Sequence, residues 1–158
     1  MAQGITQGPV EEKAMTDQPQ MIFVNLPVAD VDVSQRFYEG LGFTANPQFS
    51  DETAKCIVVS DTIYLMVLNR EKFAGFAPRP VGDAKVATSV LICLSRNSRA
   101  AVDQITEAAL RAGGTDNDKV QDYGFMYGRS FSDPDGHVFE VMWMDMEQAQ
   151  QAGEAATG

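Results

Sequence analysis

Asp133-Pro134-Asp135-Gly136-His137-Val138-Phe139-Glu140 is the stretch on which the fold turns. Pro-Asp-Gly is tight-turn chemistry, and the apolar run behind it reads as a strand that carries one carboxylate. Ser132-Asp133 leads into this turn. Earlier in the chain Ser60-Asp61 leads into Thr62–Asn69, another strand-like run. Working outward from both points gives the same order of elements twice. In the first half Ile22–Val28 reads as a strand. Asp30 caps a helix through about Glu39, with Val33, Phe37 and Leu41 on one face and Gly40 and Gly42 at its end. Phe43–Phe49, Ala54–Ser60 and Thr62–Asn69 follow as strands. In the second half Ala87–Ser95 reads as a strand. Ser98 caps a helix through Ala112, stopped by Gly113-Gly114, with Val102, Ile105, Ala109 and Ala112 on one face. Strands near Thr115–Val120, Phe125–Ser132 and His137–Met144 close the unit. The expected fold class is α+β, with two β-α-β-β-β modules forming a cupped mixed sheet.

The 158 residues suit one domain. Residues 1–20 read as a flexible N-terminal extension and 147–158 as a C-terminal tail. The folded part is 21–146, with modules about 21–69 and 87–145. The linker, residues 70–86, contains Gly75, Pro78, Pro80 and Gly82. Lys plus Arg is 12 and Asp plus Glu is 22, so the net charge is −10. That charge repels a phosphate backbone and an anionic membrane surface, so neither nucleic acid nor membrane is an expected partner. No apolar run approaches the ~20 residues of a membrane span. No basic segment followed by an apolar run stands at the start, and both cysteines, Cys56 and Cys93, sit in apolar runs. A cytoplasmic location is the expectation.

Three segments carry a family resemblance. They are Asn25-Leu26-Pro27-Val28-Ala29-Asp30, Phe37-Tyr38-Glu39-Gly40-Leu41-Gly42-Phe43, and the Asp133–Glu140 stretch. Together they resemble the vicinal oxygen chelate superfamily of glyoxalase I, extradiol dioxygenases and bleomycin-resistance proteins, most of all its predicted lactoylglutathione lyase-like group. The resemblance implies a homodimer and a cup in which metal-dependent members hold a divalent ion through four positions. Those positions fall here on Phe23, Leu65, Leu91 and Glu140. Phe and Leu have no donor atom, and a catalytic transition metal needs at least three protein ligands. No cofactor is therefore expected, and Glu140 is the sole candidate ligand if a metal binds. His137 stands three residues from Glu140 and should point to the other face.

Strand alternation places Phe23, Asn25, Leu65, Val67, Leu91, Cys93, Glu140 and Met142 in the cup. Tyr127 and Arg129 join them if their face is inward. Such a cavity, apolar with a few polar groups, suits a small, largely apolar or aromatic molecule. Glu140 is the candidate catalytic residue or the anchor for a cationic ligand, and its alternatives are an ion pair with a nearby Arg, for example Arg129, or a place at the wet mouth of the cup. Cys93 reads as a core thiol, since no basic neighbour activates it. Phe73 and Phe76 in the linker either close over a ligand or pack on the sheet or a second subunit. The expected function is small-molecule binding without a catalytic metal. The alternative is a metal-dependent lyase, isomerase or dioxygenase that uses Glu140 with an unusual ligand set.

Overall fold

Asp30 starts the first helix as its sequence suggests. Its carboxylate accepts from the backbone N–H of Asp32 at 2.9 Å and of Val33 at 3.2 Å. The computed structural model describes residues 17–157. The extension expected over residues 1–20 lies mostly outside the described residues. Strand β1 spans Ile22–Val28, helix α1 Val31–Gly40, β2 Thr44–Asn46, β3 Ala54–Val58 and β4 Ile63–Asn69. Phe43–Phe49 is only partly a strand. Asn46 and Pro47 turn its second half into a short 3₁₀ segment, Pro47–Phe49, with the Asn46 side chain accepting from Gln48 N–H.

The linker holds a helix that the sequence reading missed, α2 over Arg70–Phe76. Asn69 caps it by accepting from Lys72 N–H at 2.8 Å. Then come β5 Leu91–Ser95, helix α3 Arg99–Arg111, and the short β6 Thr115–Asp116 and β7 Gln121–Asp122. Strands β8 Met126–Ser132 and β9 Val138–Met144 complete the second module. Ser98 caps α3 through Ala101 N–H, and Gly113, at φ +109°, ends the turn behind it. The segment expected as a tail is largely helical, α4 over Met146–Thr157.

The modules form two sheets. The first has the order β1-β4-β3-β2 and the second β5-β9-β8-β6, with β7 also on β8. β1 runs parallel to β4, and β5 runs parallel to β9. β1 and β5 are therefore open edges. Ile22 N–H donates to Thr62 C=O, which turns the backbone groups of Ile22, Val24, Leu26 and Val28 toward β4. Those of Phe23, Asn25 and Pro27 face outward, so Pro27 removes no ladder bond.

One core serves both sheets. Leu65 and Val67 from β4, Val102 and Ile105 from α3, and Phe139 and Val141 from β9 belong to it. The buried stripe of α1 is Val31, Ser34, Phe37 and Tyr38. Val33, expected on that stripe, is 40% exposed, because Phe37 and Tyr38 rotate the contact face toward the second module. Phe37 packs against Phe131 and Tyr38 against Phe139, at 6.4 and 5.7 Å between ring centroids. The helix-bearing faces of both sheets are thus turned to a common core. Their opposite faces, the cup faces, are directed away from it.

The Asp133–Glu140 stretch joins the modules. Tyr38 Oη donates to Asp133 Oδ2 at 2.6 Å, and Asp133 Oδ1 accepts from the N–H groups of Asp135 and His137. Ala29 N–H donates to Asp135 Oδ1 at 2.8 Å. His137 Nε2 lies 2.7 Å from Pro27 O. A carbonyl only accepts, so Nε2 carries the proton. Gly136 sits at φ +94°, and an added Cβ would fall 2.8 Å from the Ala84 carbonyl carbon. The strap, residues 83–90, lies directly on this turn.

Candidate functional site

The register of β5, β9 and β8 decides which side chains share the cup face of the second module. Cys93 pairs with Glu140 and Leu91 with Val138. On the other side Ser130 pairs with Glu140, Ser132 with Val138 and Gly128 with Met142. Ile92, Phe139 and Val141 take the core face. Leu91, Cys93, Glu140 and Met142 therefore share the cup face, as alternation indicates. In the first module Phe23 pairs with Tyr64 and Asn25 with Met66. The Phe23 and Tyr64 rings stack at 4.7 Å and 10° between planes, and Phe23 is 48% exposed.

Four expected cup residues point the other way. Leu65 and Val67 are fully buried in the helix-facing core. β4 is apolar on both faces, and α2 packs against β1 and β4, so alternation could not tell its faces apart. A one-residue slip exchanges them. The partner that corresponds to Glu140 is thus Met66, not Leu65. Tyr127 and Arg129 face α3. Tyr127 Oη donates to Asp103 at 2.6 Å. Arg129 pairs with Asp103, Glu107 and Asp116 at 3.2, 3.1 and 3.1 Å. The bulky Phe131 shares their parity and marks the core face, while Gly128, Ser130 and Ser132 line the cup. Arg129 is therefore no partner for Glu140. Among the described residues the Glu140 carboxylate makes no ion pair or hydrogen bond.

Glu140 opens into a cavity of about 900 Å³. Its walls include Leu91, Thr115, Asn117, Lys119, Gln121, Ser130, Ser132 and Val138, with Lys85 and Thr88 from the strap. No residue of β1 or β4 lines it. The expected apolar cup is instead rich in hydroxyl, amide and ammonium groups. The sequence reading missed Thr115, Asn117, Lys119 and Gln121 because β6 and β7 are two residues long and an irregular segment joins them, and missed Ser130 and Ser132 because it weighed only the other face of β8. Asn117 links them: Ser132 Oγ donates to Asn117 Oδ1 at 3.1 Å, and Asn117 Nδ2 donates to Ser130 Oγ at 2.9 Å. Crowding around the Cys93 sulfur, then the Glu140 charge, push that thiol's pKa up, although the residue is exposed. Cys93 is thus not the core thiol that its apolar run suggests, and its surroundings raise the thiol's pKa rather than lower it as activation requires.

A second cleft of about 280 Å³ lies between the end of β1, the strap and the start of β9. Asn25, Pro27, Phe73, Val90 and His137 are among its walls. Phe73 thus borders this cleft, whereas Phe76, 75% exposed, lines a separate one of about 460 Å³ with Asn69 and Lys72. His137 is neither a cup residue nor a solvent-facing one, since the Pro27 carbonyl holds it.

The two parallel edge pairs, their crossover helices and the repeated order match known folds. A family model described as "Bleomycin resistance protein-like N-terminal" matches residues 20–60. A hypothetical protein of S. aureus is 25% identical with a TM-score of 0.68, over 82% of this chain and 98% of that one. A glyoxalase/bleomycin resistance protein/dioxygenase family enzyme from Burkholderia phytofirmans is 18% identical at TM-score 0.66, over 80% and 99%. This chain has the vicinal oxygen chelate fold. The fosfomycin resistance protein FosX from Mesorhizobium loti shares it, at 16% identity and TM-score 0.61 over 84% and 98% of the two chains. No curated protein matches.

The family resemblance of the sequence implies, for metal-dependent members, an ion held at four cup positions. Here they carry Phe23, Met66, Leu91 and Glu140. One carboxylate, one thioether and two hydrocarbons do not fit a transition metal that needs three N, O or S donors. Nor do the described residues contain another group of three His, Cys, Asp or Glu side chains placed to hold one. No described helix is long and apolar enough to cross a membrane.

Proposed function

We propose that this chain binds a small molecule on its Glu140 face, with no catalytic metal, as a homodimer. The observation that carries this is Glu140 itself. It is a carboxylate without a partner, at the wall of a cavity of about 900 Å³ that one module and the strap leave open. A charge left unpaired costs free energy unless water or a ligand satisfies it. The stacked Phe23 and Tyr64 supply an aromatic surface on the cup face of the other module. That surface suits an apolar or aromatic part of a ligand, while the Glu140 wall suits its polar part. Proteins named for bleomycin or fosfomycin resistance share the fold, and we read the site as one that holds its ligand rather than turning it over. In the dimer the cup face of the first module closes the cavity of a second copy, which explains why no β1 or β4 residue lines it within one chain.

The test is a thermal-shift screen of wild type and Glu140→Gln. Ligands that raise the wild-type Tm by several degrees should lose most of that shift in the variant. Equal shifts in both proteins would remove Glu140 from the site. Elemental analysis after soaking in Zn, Ni, Mn and Fe(II) should find well under one retained ion per chain. A ratio near one would replace this reading with a metal-dependent one.

A further inference from the structure

Beyond the reading just given, on which it rests, the cavity bears charges of both signs that the protein leaves uncompensated. Across the second sheet the cup-face row runs Asn117, Ser130, Glu140, Cys93. Asn117 N–H donates to Ser130 C=O, and Ser130 and Cys93 flank Glu140 in the register. Within this row the hydrogen bonds have one direction. Ser132 donates to Asn117, and Asn117 donates to Ser130. A hydroxyl has one proton to give, and that of Ser130 is unspent among the described residues. The chain of donors thus ends in an O–H on the residue cross-strand from Glu140. Lys85 from the strap and Lys119 from the segment after β6 line the same cavity. Neither ammonium forms an ion pair among the described residues.

We infer that the Glu140 cavity takes a zwitterion: a ligand whose protonated amine lies on Glu140 and whose carboxylate or phosphate lies toward Lys119 and Lys85. A purely anionic ligand would face Glu140 with no cation between them. A purely cationic one would face two ammonium groups. A zwitterion compensates both, and an oxygen next to its amine can accept the free Ser130 proton. Charge-assisted hydrogen bonds of this kind are the stronger ones, and a site rejects a ligand that leaves its own charge unpaired.

The experiment uses ω-amino acids of three to six carbons, each beside the alkylamine and the alkanoate of the same length. Binding is measured by calorimetry at neutral pH and low salt, with the full-length protein. At least one ω-amino acid should bind about tenfold or more tighter than either singly charged analogue, tenfold being about 1.4 kcal/mol. Glu140→Gln should remove the advantage over the alkanoate, and Lys119→Met should weaken the advantage over the alkylamine. Circular dichroism of both variants shows whether they fold, and Ser130→Ala provides a smaller change at the same wall. Equal affinity for zwitterion and single charges overturns the inference. So does silence from the whole series while the thermal-shift screen finds Glu140-dependent ligands of another kind, and that result leaves the binding reading standing. If neither experiment finds a ligand, both readings fall.

Discussion

At the scale of single residues, Asp133 differs most from what its sequence context suggests. As one Asp in a Pro-Asp-Gly turn it reads as local turn chemistry. In the structure it is 3% exposed and accepts from Tyr38, Asp135 and His137, so it joins the modules. Burial raises its pKa, and the charge of His137 and the bond from Tyr38 only partly offset this. A carboxyl whose folded pKa is raised stabilises the fold fully below its unfolded value. That contribution is lost as pH rises through the folded value. Asn mimics the neutral acid at every pH: its Oδ1 keeps the two N–H bonds, and Tyr38 Oη can accept from its Nδ2. Asp133→Asn should therefore match wild type in urea unfolding near pH 4 and become relatively more stable toward pH 7. A difference that is flat or shrinks over that window would show that the Asp133 charge is stabilised in place.

At the scale of elements, legibility followed contrast between the two sides of an element. The caps at Asp30 and Ser98 and the stripe of α3 were legible because polar and apolar positions differ there. β4 was not, because both of its faces are apolar, so its inward residues were assigned one position off. Helix α2 was missed because Gly75 and Pro78 hide a seven-residue helix whose only start signals are Asn69 and Glu71. In the site, Glu140 was legible as a lone carboxylate in an apolar strand. Asn117 and Lys119 were not, since their place depends on how an irregular segment folds over β8. The turn before β9 gives a direct test of the strap. Gly136 holds a positive φ against the Ala84–Lys85 backbone. Gly136→Ala adds backbone strain of about 1–3 kcal/mol and a methyl where there is no room. It should lower stability by about 2 kcal/mol or more, and limited proteolysis should cut residues 83–90 faster. Unchanged cleavage would mean that the strap does not depend on this contact.

At the scale of the whole molecule, the proposed homodimer would cover the open cavity, the two open edges and the exposed apolar residues beside them. Ile22 and Phe23 on β1 are 55% and 48% exposed, and Val90 and Leu91 at the start of β5 are 63% and 57% exposed. An edge strand with outward backbone groups and apolar neighbours is a pairing surface unless something covers it. Setting β1 of one copy beside β5 of another covers both edges twice in a two-fold dimer, since each chain gives one of each. It also brings the Phe23–Tyr64 surface over the partner's open cavity. Phe23→Glu puts a carboxylate into that contact, and burying it unpaired costs several kcal/mol. About 2.8 kcal/mol already weakens association a hundredfold. Light scattering at tens of micromolar should therefore find a dimer for wild type and a monomer for Phe23→Glu. Far-UV circular dichroism should not change, because Phe23 lies outside the shared core. Ligand shifts in the thermal assay should fall with the dimer, since the proposed arrangement takes the aromatic wall from the second chain. A monomeric wild type, or a Phe23→Glu protein that dimerises as before, would place the closing wall elsewhere and leave the Glu140 cavity open to solvent.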